Sequence, residues 1–247
     1  MAVDIISKIK SGAIAVMSCK ILGIFILLLF TGLTARVLST KDFADYIFLS
    51  SMVICFAIPT RLGCENVFLK LVGEHIDNPC DIKSILNIAV KFIFFVGFIS
   101  ILIEWFVLKY LFIYSFNEPN LIEYIPLLLG WIFLFSLQVI QSQILRALGK
   151  FWSCSLLLNP LPLAINCVVI IILQATGKNV SLLTLITLIL STITITNVIA
   201  MLQIFSVYTK SNNNIKPPFT ISFKSIFLLS SPLCISQIAN FINSQSD

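Results

Sequence analysis

Six stretches of this chain are each apolar for about twenty residues, the length of helix that crosses a hydrocarbon layer. They run from Gly12 to Leu33, Ala44 to Leu62, Ser84 to Phe106, Ile122 to Leu145, Phe151 to Leu173 and Leu182 to Val207. A seventh begins near Ser222 and keeps an apolar, helical pattern as far as Phe241. That many stretches in 247 residues predict an all-α, polytopic transmembrane helix bundle: one six-helix lobe plus the start of a seventh helix. Only 11% of residues are charged and mean hydropathy is +1.03. Less than half the charge of an average soluble domain excludes a soluble enzyme, and 21 Phe exclude a disordered chain. Lys8, Lys10 and Thr34-Ala35 resemble parts of a cleavable signal peptide. The apolar run already starts at Gly12 and further spans follow, so it reads as an uncleaved first helix.

Short polar segments join the spans, among them Ser39 to Asp42, His75 to Lys83 with Asn78-Pro79, Asn117 to Asn120, Gly149-Lys150 and Gly177 to Asn179. The longest surrounds Asn212-Asn213-Asn214 and Lys216-Pro217-Pro218. It divides the chain into a lobe at 1–209, a cytoplasmic linker at 210–221 and the start of a second lobe at 222–247, a start that reads as truncated. With alternate loops on one side, nine cations (Lys8, Lys10, Lys70, Lys83, Arg146, Lys150, Lys210, Lys216, Lys224) face four (Arg36, Lys41, Lys109, Lys178). The positive-inside rule then predicts a cytoplasmic N-terminus. Seven cysteines form no C-x-x-C pair and sit mostly in apolar runs, where they act as small hydrophobes.

Three of the 16 cations remain inside spans: Lys20, Arg61 and Lys91. A basic residue at mid-helix costs roughly 2.5 to 3.5 kcal/mol on insertion scales, so each needs a reason. Counted along the helices, all three fall at a similar inner-leaflet depth. Each either snorkels to the headgroups on its own stem, or the three form a basic lining for an anionic headgroup. Arg61 and Glu65 are four apart, between Pro59 and Gly63, and read as an intrahelical ion pair near the interface or as a hinge with a switchable charge. Polar stripes recur on later spans: Gln138, Ser142 and Arg146; Ser155, Asn159, Pro162 and Asn166; Thr184, Thr187, Ser191 and Thr194; Gln237, Asn240, Ser244 and Asp247. Any one stripe is commonly interhelical glue, whereas four in succession suggest a shared polar cavity. Asn159-Pro160-Leu161-Pro162 should also break the fifth helix.

Catalytic patterns are missing: no H-E-x-x-H, G-x-S-x-G, Walker A or paired-aspartate cluster occurs, and His75 is the single histidine. No catalytic, cofactor or metal site is expected. Asn179-Val180-Ser181 fits a glycosylation sequon common by chance and receives no role.

The stretch from Ala35-Arg36-Val37-Leu38 through Asp42-Phe43-Ala44-Asp45-Tyr46 resembles the loop after the first helix of the polysaccharide (O-antigen) flippases, which reads A-R-x-L-G-x-x-D/E-F-G-x-Y. These belong to the superfamily of multidrug, oligosaccharidyl-lipid and polysaccharide exporters. Arg61-Leu62-Gly63-Cys64-Glu65 with Lys70 and Gly73-Glu74, and Leu145 to Lys150, resemble further family stretches. Ser39 and Ala44 replace the usual glycines. The resemblance implies two pseudo-repeated halves with the substrate path between them, Pro232 onward opening the second.

It also implies the function: flipping an undecaprenyl-diphosphate-linked oligosaccharide across a bacterial inner membrane by alternating access, without covalent chemistry. Lys20, Arg61 and Lys91 would attract the diphosphate, while Gln138, Asn159, Asn166, Gln237 and Asn240 would face the sugars. Implied partners are the lipid-linked oligosaccharide, membrane lipids, a polysaccharide polymerase and a chain-length regulator, with no nucleic acid. Two alternatives stay open. A drug or small-cation extruder of the superfamily would favour acidic residues in the lobe. A membrane polymerase or acyltransferase would favour long outer loops bearing Arg, His or Asp.

Overall fold

The computed structural model describes residues 2–76, 78–209 and 223–246, and within them nine α-helices and no strand. The linker 210–221, Ser222 and Asp247 lie outside the described residues, as do the side chains of Lys8, Lys10, Cys80 and Ser244. Helices α1 (Ala2–Val37) and α2 (Thr40–Arg61) meet at Ser39, whose hydroxyl caps α2 by accepting from the Asp42 amide at 3.1 Å. Helix α3 (Cys64–Glu74) follows, then α4 (Pro79–Tyr110), which runs on into one π turn at Leu111–Ser115. A short 3-10 turn at Pro119–Tyr124 leads into α5 (Ile125–Ala147). The chain continues as α6 (Phe151–Leu158), α7 (Pro160–Ala175), α8 (Leu182–Thr209) and α9 (Phe223–Ser246).

Five helices are long and apolar enough to cross a membrane, and α6 with α7 makes a sixth when counted as one span bent by 41°. Those six coincide in order with the six expected stretches, so the protein is an all-α, polytopic, membrane-spanning bundle. The bend falls where Pro160 and Pro162 remove two amide donors. Apolar side chains such as Phe25, Leu28, Phe98 and Phe106 are exposed on the outside of the bundle, as lipid requires.

Two differences from the sequence reading bear on the site. The second span does not simply end at Leu62. Leu62 (φ 49°) and Gly63 (φ 69°) both take left-handed backbone, and α3 then carries the helix on for 11 residues. Apolarity fades there because α3 is amphipathic, with Cys64, Val67, Phe68 and Val72 buried and Lys70 and Glu74 exposed. The third span is also longer than expected, at Asp81–Ser115. Glu104 therefore lies about 16 Å along the helix from its nearer end.

The core divides into two clusters. One gathers Phe30, Leu49, Phe112, Ile132 and Leu185, drawn from α1, α2, the π turn after α4, α5 and α8. The other gathers Phe68, Phe92, Leu145, Cys154 and Ile226 from α3, α4, α5, α6 and α9. Helix α5 runs through both. Helix α9 lies on the α2–α3 break: a Cβ added to Gly63 would stand 2.8 Å from the Cys234 nitrogen and 2.9 Å from Leu233 Cβ. Only glycine permits both that backbone angle and that approach.

Candidate functional site

Helices α1, α5, α6 and α7 enclose an open groove of about 390 Å³. Lys20 from α1 and Arg146 from α5 both line it, as do Ser142, Ser155 and Asn159, and no acidic side chain does. Lys20 is exposed, whereas Arg146 is half-buried and its Nε has no hydrogen-bond partner among the described residues. Counting loop charges places Arg146 among the cytoplasmic cations and overlooks this inward position. Its place in the stripe with Gln138 and Ser142 is the signal that it points inward, because residues at that spacing share a helix face.

A second groove of about 400 Å³ adjoins the first and shares Leu27, Leu158, Asn159 and Leu163 with it. The two form one continuous furrow past the α6–α7 bend. The second groove has no charged lining and carries Tyr46, Ser50, Trp131, Gln138 and Asn166. The rings of Tyr46 and Trp131 stack at 6.3 Å with 18° between planes. Asn166 is 2% exposed, and its Oδ1 lacks any partner among the described residues. Gln138 is committed instead: its amide nitrogen donates to the Leu157 carbonyl at the bend and lies 3.2 Å from Thr196 Oγ1. It ties α5 to α6 and α8.

The three intramembrane cations occupy three different environments. Lys20 lines the first groove, and Lys91 is exposed on α4 and lines neither. Arg61 belongs to a polar cluster at the α2–α3 break. Its Nε donates to the Ala57 carbonyl at 2.9 Å and its Nη1 lies 3.7 Å from Glu65 Oε1, which also accepts from Gln237 Nε2 at 2.8 Å. The ion pair forms although the helix is broken between its members, because the two left-handed residues turn the start of α3 back toward Arg61. Glu65 is 4% exposed, so this is a buried pair completed by α9. On α9, Asn240 is exposed and lines neither groove.

The four stripes do not converge on one cavity. Those of α5 and α6–α7 line the furrow, whereas Thr187, Ser191 and Thr194 of α8 donate to carbonyls of their own helix at 2.7 to 3.0 Å and do not line it. A hydroxyl that back-bonds in this way needs no interhelical partner. The inward polar residues of α8 are Thr192, Thr196 and Asn197, all buried. Asn197 donates to the Leu134 carbonyl at 3.0 Å.

No family model, curated protein or solved structure matches this sequence. The furrow is therefore read by its own chemistry. Two cations at one end suit a phosphate-type anion; stacked aromatics and amides at the other suit an uncharged, hydroxyl-rich group. No group of three or more His, Cys, Asp or Glu able to hold a metal occurs among the described residues. Cys19, Cys64, Cys154, Cys167 and Cys234 are buried and unbridged, in keeping with packing roles, while Cys55 is exposed.

Proposed function

We propose that this chain forms a wall of a polyprenyl-diphosphate-oligosaccharide flippase in a bacterial cytoplasmic membrane, with its N-terminus in the cytoplasm. The observation that carries the reading is the single furrow with Lys20 and Arg146 at one end and Tyr46, Trp131 and Asn166 at the other. A diphosphate held by the cations leaves the glycan to lie along the uncharged portion. Arg146, which lines the groove, presents a planar fork of donors suited to a phosphate. Alternating access would close the furrow against a second wall. Partners of such a protein are the lipid-linked oligosaccharide, bilayer lipids and the polymerase and chain-length regulator that act on the flipped unit.

A small-cation extruder fits this furrow less well, because it holds cations and no carboxylate; Glu65 and Glu104 stand elsewhere, around the α2–α3 break. The proposal is tested by flipping of a fluorescent undecaprenyl-diphosphate oligosaccharide in proteoliposomes. Each charge-assisted hydrogen bond contributes about 1.5 to 3 kcal/mol. Lys20→Gln combined with Arg146→Gln should lower transport roughly a hundredfold or more, since each 1.4 kcal/mol is tenfold. Lys91→Gln should leave it within about twofold. Equal effects of all three cations would remove the furrow from the path.

A further inference from the structure

Glu104 is 4% exposed, and its Oε2 is buried without a hydrogen-bond partner among the described residues. It faces a separate apolar groove between α2, α4 and α9, where Pro59, Leu62, Ile103 and Phe227 surround it. Its other oxygen, Oε1, lies 2.6 Å from Thr60 Oγ1, and that hydroxyl lies 2.7 Å from the Phe56 carbonyl oxygen. A threonine hydroxyl has one proton. The Phe56 carbonyl can only accept, so if Thr60 donates there, the proton in the 2.6 Å contact must come from Glu104.

No ion pair involving Glu104 occurs among the described residues. On α2 the neighbouring Arg61 is turned to Ala57 and Glu65. On α3 the titratable group nearest Thr60 is the buried Cys64 thiol, and α5 presents Phe133 and Ser136 at this level. On α9 the nearest cation is Lys224, exposed and one turn before Phe227; on α4 it is Lys109, also exposed. An ionised carboxylate in this setting would stand several turns from either end of its span with nothing to balance it, a cost of several kcal/mol.

We propose that Glu104 is a proton-binding site, held as the neutral acid in this conformation through the relay Glu104 O–H to Thr60 Oγ1 to the Phe56 carbonyl. Ionisation requires water at Oε2, and water enters when α9, which contributes Phe227 to the groove, moves away from the α2–α3 break. Proton release is thereby coupled to separation of α9 from α2 and α4. The inference goes beyond the flippase reading and holds whatever the furrow carries, so its test uses no transport substrate.

The experiment is infrared difference spectroscopy of the protein in lipid bilayers, with pH stepped from about 5 to about 9. At about pH 7 a protonated-carboxyl C=O band should be present in the wild-type protein and lost in Glu104→Gln. Thr60→Val should keep the band but move it to higher frequency, as loss of the hydrogen bond requires. Glutamine has the shape of the neutral acid, so Glu104→Gln is expected to fold as the wild type does; if it does not, the Thr60→Val shift alone decides. Absence of a band that responds to either substitution would overturn the proposal. Loss of the wild-type band on adding sodium at constant pH would also overturn it, since the site would then be a metal-cation site.

Discussion

The contact of α9 with the α2–α3 break can be tested by a series of alanine substitutions at three glycines. Gly63 has φ 69° and a tight neighbour: a methyl at this position would stand 2.8 Å from the Cys234 backbone nitrogen. Gly149 has φ 75° and open space around it; Gly73, inside α3, has open space and no left-handed angle. Left-handed backbone costs an L-residue roughly 1 to 2 kcal/mol, so Gly149→Ala should lose about that much. Gly63→Ala carries the same cost and must also push α9 back by roughly half an ångström. Backbone contact cannot be relieved by a rotamer, and overpacking adds about 1 to 3 kcal/mol, giving roughly 2 to 5 kcal/mol in all. Gly73→Ala should instead stabilise by up to about 1 kcal/mol, because alanine is the better helix former. The assay is reversible unfolding in mixed micelles, with alkylation of Cys234 as the local readout. Cys234 is 7% exposed, and its labelling rate should rise in Gly63→Ala alone. If Gly63→Ala is no worse than Gly149→Ala and leaves Cys234 protected, α9 does not rest on Gly63.

The buried pair gives a second test: Glu65→Gln leaves Arg61 buried without its partner and should lower unfolding stability by about 3 to 5 kcal/mol. The double change Arg61→Met with Glu65→Leu should recover most of that loss, and a double change as damaging as the single one would sink the pairing. Gln138→Leu removes donors to Leu157 and Thr196 and should lose about 1 to 3 kcal/mol in the same assay, while Thr187→Val, on the outer face of α8, should change stability by less than about 0.5 kcal/mol. Topology is checked by thiol labelling: Cys80, just before the third span, should react only after the inner face is opened, and reaction with an impermeant reagent on intact cells would reverse the orientation.

The part of the fold legible in the sequence follows from the solvent. Hydrocarbon admits only helices of a set length or closed barrels, and apolar runs of about twenty residues fit only the first, so six such stretches suffice to place six spans in order. Proline chemistry likewise places the α6–α7 bend at Asn159-Pro160. The α2–α3 break is half legible: Pro59 and Gly63 mark a weak point, but α3 is half polar and falls below the apolar criterion that finds the spans. Glu104 escapes for a related reason. The apolar criterion ends its span at Phe106, whereas Trp105, Phe106 and Tyr110 are exposed apolar surface of a helix that continues to Ser115.

The polar stripes carry the more general lesson, because equal spacing conceals unequal chemistry. Thr187, Ser191 and Thr194 satisfy their hydroxyls on the preceding turn and can face lipid at little cost. Amides find less relief there: the side chains of Gln138, Asn197 and Gln237 donate to other helices, and Arg61, although its Nε bonds back to Ala57, also reaches Glu65 across the break. Weighting amides and guanidinium groups above hydroxyls discards the α8 stripe. It keeps those of α5 and α6–α7, and with them Arg146, whose buried Nε still lacks a partner among the described residues. In a helix bundle the informative polar residue is the one its own backbone cannot satisfy, and in this bundle Arg146 and Asn166 fit that description at opposite ends of one furrow.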